Sequence, residues 1–102
     1  MIVRLWRVQI SAAHRPEFEH IGEQHLAPLL ERQEGFGGCL FLFQEDEATL
    51  MTLWRDRQAA EQFSQSPEAQ ELGAQVRDRG LLHGEPRIEI FDVAGGSFKG
   101  AP

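Results

Sequence analysis

Residues 37–54 read Gly37-Gly38-Cys39-Leu40-Phe41-Leu42-Phe43-Gln44, then Glu45-Asp46-Glu47-Ala48, then Thr49-Leu50-Met51-Thr52-Leu53-Trp54. Two runs of β-forming residues joined by a short charged turn make a pair of adjacent strands. Apolar residues stand at odd and even positions alike, so both faces of these strands need cover. Upstream, Ile2 to Ile10 is rich in β formers and lacks Gly and Pro, which predicts another strand. After a loop from Ser11 to Arg15, Pro16 suits the first position of a helix, and Glu17 and Glu19 follow near the positive end of its dipole. At about 100° per residue, Phe18, Ile21, His25 and Leu29 share one inward stripe, flanked by Gly22 and Leu26. This helix is expected to reach about Gln33, bend at Pro28 and stop at Gly35.

Downstream, Asp56 caps a short helix from Arg57 to about Ser64, and Ser66-Pro67 opens another whose buried side is Ala69, Leu72 and Val76. Gly73 lies on that same side. Pro86 to Val93 forms a last strand. The order β-α-β-β-α-(α)-β predicts an α+β, ferredoxin-like fold, an antiparallel sheet with its helices on one face. Residues 1–93 make the domain, and 94–102, with Gly95, Gly96 and Gly100 and little to bury, are expected to be a flexible tail. Because helices cover only one side of the sheet, the apolar residues of strands two and three exceed what a monomer can hide. A homodimer joined through its sheet faces is the expected assembly.

Composition narrows the partners. Ten Lys+Arg against sixteen Asp+Glu give a net charge of −6, which argues against nucleic acid or an anionic membrane. No apolar run approaches the ~20 residues of a membrane span, and the first residues do not read as a signal peptide. The single cysteine, Cys39, cannot form an internal disulfide and reads as a buried small hydrophobe, so a cytoplasmic location is expected.

Val3-Arg4-Leu5-Trp6-Arg7, Glu34-Gly35-Phe36 and above all Leu50-Met51-Thr52-Leu53-Trp54-Arg55-Asp56-Arg57-Gln58-Ala59-Ala60-Glu61-Gln62-Phe63 resemble the antibiotic biosynthesis monooxygenase family of dimeric α/β barrels. The likeness runs over about residues 2–93. It implies a dimeric α/β barrel and, in one branch, oxidation of phenols by O2 without a cofactor. In the haem-degrading branch a strand-one Asn, a Trp ending strand three and a His on the following helix form the site. Trp54 matches the Trp, while the other two positions fall at about Arg7 and Gly73. The resemblance therefore disfavours haem breakdown.

Among residues that could carry chemistry, His25 stands first, because an imidazole on the inward stripe could take a phenolic proton or orient a substrate. The other reading is a core-edge histidine bonded to backbone. Trp54 is either a stacking wall for a flat ligand or a core residue sealing the end of the sheet. Arg7 could stabilise a phenolate or enolate if it points inward, or join an interface ion pair if outward. Val3-Leu5 and Ile2-Trp6-Val8 are both apolar sets, so alternation leaves its facing open, with the outward reading slightly favoured. Gly73 leaves room for a ligand or for close packing. His20 points opposite to His25, and His14 and His83 fall in connecting segments, so no metal-binding pair arises. Gly35-Phe36-Gly37-Gly38 lacks the full phosphate-loop pattern, and no serine sits in a nucleophile elbow. The function that the resemblance implies is oxidation of a small or polycyclic phenolic or aromatic compound with O2, without cofactor. Catalytic roles fall to His25 and Arg7, and substrate contacts to Trp54 and Gly73. The alternative is a non-catalytic dimer that binds a small hydrophobic ligand; haem degradation comes third.

Overall fold

The computed structural model describes residues 1–97 and 99. Strands β1 (Ile2–Ile10), β2 (Phe36–Gln44), β3 (Glu47–Trp54) and β4 (Leu82–Asp92) form one sheet in the order β2-β3-β1-β4, and every neighbouring pair is antiparallel. Helices α1 (Arg15–Ile21), α2 (Ala27–Glu31), α3 (Arg57–Ser64) and α4 (Pro67–Asp78) supply the second layer. This is the ferredoxin-like α+β arrangement expected from the hairpin outward. The last strand starts four residues earlier than its apolar pattern suggests. Gly84, at φ +84°, belongs to a bulge that shifts the pairing between Arg7 and Gln9 and lets His83 and Leu82 pair with Gln9 and Ile10.

Pairing fixes which residues share a face, because directly opposed residues point to the same side. Ile2, Arg4, Trp6 and Val8 of β1 lie opposite Trp54, Thr52, Leu50 and Ala48 of β3, and these face the helices. Val3, Leu5 and Arg7 face away, together with Leu53, Met51 and Thr49. On the flanking strands Leu40, Leu42 and Phe91 join that outer face and are exposed.

The first helix departs from the simple spacing rule. Between α1 and α2, Gly22–Leu26 form a π-helical turn, in which the Ala27 N–H donates to the Gly22 carbonyl five residues back. Pro28 has no N–H to give and its ring crowds the preceding turn. A π turn next to the proline is one of the recognised ways in which a helix accommodates such an interruption. The expected bend at Pro28 is therefore a π turn placed just before it. Its extra residue changes the inward set: Ile21, Gly22, Leu29 and Leu30 are buried, Leu26 is half-buried, and His25 is exposed.

At the open end of the hairpin the two layers pack tightly. Trp54, 1% exposed, sits among Ile2, Leu29, Leu30, Ala59, Ala60 and Phe63. Its ring stacks on Phe63 at 5.4 Å and meets Phe36 edge-on at 5.5 Å. The caps of the following helices match their sequence signals. Asp56 Oδ1 accepts from the Ala59 N–H at 2.8 Å, and Ser66 Oγ accepts from the Ala69 N–H at 3.2 Å. The Ala59 N–H, helped by the Arg55 side chain, holds the Asp56 carboxyl below the usual carboxylate range. Residues 94–97 are exposed and have no regular structure, and part of the expected tail, Phe98 and residues 100–102, lies outside the described residues.

Candidate functional site

At the other end of the layer, sheet and helices stand apart around a cavity of about 230 Å³. Its floor is the helix side of the sheet, with Arg4 and Trp6 from β1, Phe41 and Phe43 from β2, and Leu50 from β3. Phe18 and Ile21 of α1, Gly22 and Leu26 of the π turn, and Leu72, Gly73 and Val76 of α4 close it from the helix side. The aromatic side chains are held by one another. Trp6 stacks with Phe18 at 6.4 Å, and Phe18 meets Phe43 edge-on at 6.2 Å. Gly22 lets the helix come close here, since a Cβ at that position would stand 3.3 Å from the Phe41 ring. A concave, mainly apolar space with few polar groups is the usual form of a small-molecule site.

Arg4 is the polar group of the floor. Burial pulls its pKa below the usual arginine value, yet a guanidinium stays charged in a protein. Among the described residues no carboxylate lies within ion-pair distance of it. Arg77 reaches the wall from α4, and its guanidinium nitrogens would lie 3.7 and 3.9 Å from a Cβ on Gly73. Glu19 also lines the space, but its Oε1 accepts from Arg15 Nε at 3.0 Å. Gln70 donates through Nε2 to the Ser64 carbonyl at 2.8 Å, which ties α4 to the end of α3 beside the cavity.

Of the four candidate site residues His25, Arg7, Trp54 and Gly73, the structure brings Gly73 alone to this cavity. His25 does not lie on the inward stripe. The π turn swings it outward, where it is exposed beside a shallow polar recess with Arg32, Glu68, Glu71 and Gln75. Arg7 faces away from the helices, with Nη1 3.6 Å from Glu89 Oε1, so the outward reading holds. Trp54 is a core side chain rather than a cavity wall: Phe63 stands between it and the hollow, and its buried indole N–H has no partner among the described residues. Cys39 is half-buried on the helix side of β2, and burial pushes its thiol pKa up.

Arg4 and Trp6 are the residues that spacing missed. The signal was present in β1, because Gln9 shares the phase of Arg7 while Ile10 shares that of Ile2, Trp6 and Val8. Extending the alternation to the end of the strand places Arg7 outside and Arg4 inside. Among the described residues no group of three His, Cys, Asp or Glu side chains is placed to hold a metal ion, and no helix is long and apolar enough to cross a membrane.

Comparison with solved structures finds the same fold in the cofactor-independent oxygenase SnoaB of Streptomyces nogalater, at 18% identity and a TM-score of 0.75, covering 93% of this chain and 94% of that one. A monooxygenase from the gene ActVA-Orf6 of Streptomyces coelicolor, in complex with the ligand nanaomycin D, is similar at a TM-score of 0.82 and 14% identity, covering 97% and 92%. Rv0793 of Mycobacterium tuberculosis is similar at 0.76 and 16%, covering 95% and 98%. Comparison with curated protein sequences finds no match. The profile described as antibiotic biosynthesis monooxygenase matches residues 1–75, most of the sheet and helix layer that encloses the cavity. Fold, register and this match agree: the chain belongs to the antibiotic biosynthesis monooxygenase family.

Proposed function

We propose that the protein is a cofactor-independent monooxygenase that oxidises a flat phenolic compound with O2 inside the cavity between sheet and helices. The observation that carries this reading is an aromatic-lined hollow with a half-buried arginine, Arg4, in its floor. At about 230 Å³ it is smaller than the ~300 Å³ at which drug-sized pockets begin. A ligand of two or three fused rings suits it better than a larger one. Cofactor-independent oxygenase activity and nanaomycin D binding, which belong to proteins of the same fold, support the reading.

The chemistry needs no external reductant. A phenol that loses its proton becomes an electron-rich anion, whose ring carbon forms a C–O bond with O2 to give a peroxide. Loss of the ring C–H proton with cleavage of the O–O bond leaves a carbonyl. One oxygen atom stays in the quinone and the other departs as water. The cavity contributes anion stabilisation by Arg4, ring alignment by Trp6 and Phe18, and exclusion of bulk water. Arg4 takes the role that spacing gave to Arg7, while Gly73 keeps the room expected of it. His25 has no part in this scheme, because it stands outside the cavity.

The protein acts as a homodimer joined through its sheet faces. Leu42 and Phe91 are 44% and 49% exposed on the outer face, beside Leu40, and a second copy would cover them. Each protomer then keeps its own cavity on the opposite side of the sheet. Sedimentation at micromolar concentration checks the assembly, and a monomer there refutes it.

Oxygen uptake with a panel of dihydroxynaphthalenes, without flavin or added metal, tests the activity. Uptake with quinone formation that is lost in Gly73→Leu, which fills the cavity, is the expected result. Binding of the same compounds without oxygen consumption would establish the second reading, a non-catalytic dimer holding a small hydrophobic ligand. One observation favours that alternative: among the described residues Glu19 is the one carboxylate lining the cavity, and Arg15 already holds it. Among the described residues no imidazole lines the cavity, so haem breakdown has no axial histidine there.

A further inference from the structure

The charge of the cavity runs against the charge of the chain. The protein is net −6, yet two of the arginines that have no ion-pair partner among the described residues line the apolar hollow. Arg7, Arg15, Arg55, Arg57, Arg79 and Arg87 each sit between 3.0 and 3.6 Å from a carboxylate oxygen. Of the arginines outside these pairs, Arg32 stands exposed just after α2, and Arg4 and Arg77 both line the cavity. The ionisable groups facing Arg4 are few. Glu19 comes from α1 and Arg77 from α4, while β2, β3, β4, the π turn and α3 add no ionisable side chain to the lining. Since Glu19 is bonded to Arg15, the cavity keeps two cations, half-buried Arg4 and exposed Arg77 at its rim, without a carboxylate partner among the described residues.

A guanidinium taken out of water without a partner is costly, and an anion entering the same space offsets that cost. The apolar wall strengthens the attraction by excluding water from around it. We propose that this cavity selects its ligand as an aromatic anion, with Arg4 holding the charged oxygen at the floor and Arg77 adding to the field from the wall over Gly73. The inference rests on the cavity being the substrate site proposed above, and it deepens that reading by naming the substrate class. The ligand is a fused-ring compound carrying a carboxylate, or a phenol acidic enough to be ionised when bound. Arg4 is then the residue that determines specificity. Gly73 keeps the wall beside the Arg77 guanidinium open, where a longer side chain would enter the cavity.

Equilibrium titration of the full chain with 2-naphthoate and with its neutral analogue 2-naphthamide, read by the fluorescence of the cavity tryptophan Trp6, tests the proposal. The acid is expected to bind at least about tenfold tighter than the amide. In Arg4→Met the affinity for 2-naphthoate falls by about ten- to a hundredfold, the range of a charge-assisted hydrogen bond, and the affinity for the amide does not. Arg4→Lys keeps the charge, retains part of the preference, and guards against a folding defect in the first variant. A second arm uses 4-nitrophenol, whose phenolate is coloured, so the protonation state of the bound molecule is read directly. Its ionisation midpoint should fall by about one pH unit for each tenfold preference for the anion.

A shift in the second arm supports a phenolate as the ligand's charged group, and a preference confined to 2-naphthoate supports a carboxylate. Equal binding of acid and amide together with an unmoved nitrophenol midpoint overturns the proposal. So does an anion preference that persists in folded Arg4→Met. Failure of the oxygenase reading looks different: the anion preference remains, and no oxygen is consumed.

Discussion

The two ends of the helix layer meet the same sheet in opposite ways. Around Trp54, Leu29, Leu30 and Phe63 the layers close on each other, and the largest side chain there is almost fully buried. Around Trp6, Phe18 and Phe43 they part, and the space holds a charged group where a core would hold a methyl. Phe63 belongs to both ends, with one side on the Trp54 ring and another lining the hollow. The closed end supplies the stability that lets the open end keep an unfilled volume and an unpaired guanidinium. A small domain has little margin for such a feature, so the contrast is itself a sign of function.

Substitutions can break or sharpen this contrast. Trp54→Ala should have the largest effect, a loss of roughly 3–5 kcal/mol, as for other large aromatics removed from a core. Thermal melting would show it, at about 4–8 °C per kcal/mol for a domain of this size. Trp54→Phe should lose far less, because the indole N–H has no partner to forfeit. Equal losses in the two variants would mean that the indole edge contributes more than packing.

Arg4→Met acts at the open end and should reverse the sign. Replacing a half-buried charge that has no ion-pair partner among the described residues with an apolar side chain of similar length is expected to raise stability by up to about 1 kcal/mol, while anion binding falls. A destabilised variant would show that Arg4 is structural. Gly73→Ala should follow at about 0.5–1 kcal/mol of added stability, from the poor helix propensity of glycine. The new Cβ would meet only Arg77, at ordinary contact distance, so the melt should rise without a change in fold.

Asp56 gives the closed end its pH dependence. Its carboxyl is held below the ordinary aspartate value, so the folded state binds that proton less readily than the unfolded chain does. The stabilisation is complete above the unfolded value and is lost as pH falls through the folded one. Urea titrations between pH 6 and pH 2 should therefore show a shallower acid limb in Asp56→Ala than in the parent. His25→Ala should have the smallest effect, within about 0.5 kcal/mol in stability, as for an exposed side chain. Oxygen uptake should be unaltered, and a lost activity would return His25 to the chemistry.

Most of the fold was legible because its signals are local. The apolar runs flanking Glu45-Asp46, the caps at Asp56 and Ser66, and Pro16 and Pro67 near helix starts all act within a few residues of where they stand. The early start of β4 was hidden because Gly84 reads as a breaker until its partner strand is in place. The site was harder to read because it depends on phase rather than composition. Arg4 and Arg7 are the same residue type, three positions apart on one strand, and only the pairing of β1 with β3 separates inside from outside. Trp54 was recognised as important, but a tryptophan on a sheet looks the same in sequence whether it lines a hollow or fills one.

The π turn at Gly22–Leu26 has a further consequence for anyone comparing this chain with its relatives. It amounts to one additional residue inside the helical run from Arg15 to Glu31. Beyond it, every side chain is one step out of phase with a plain α-helix started at the same Pro16. Superposition on a relative without such a turn therefore requires a gap in mid-helix, where alignment methods penalise gaps most. Without that gap, the inward place held here by Leu26 would be assigned to His25, and a solvent-facing imidazole would inherit the role of a cavity residue.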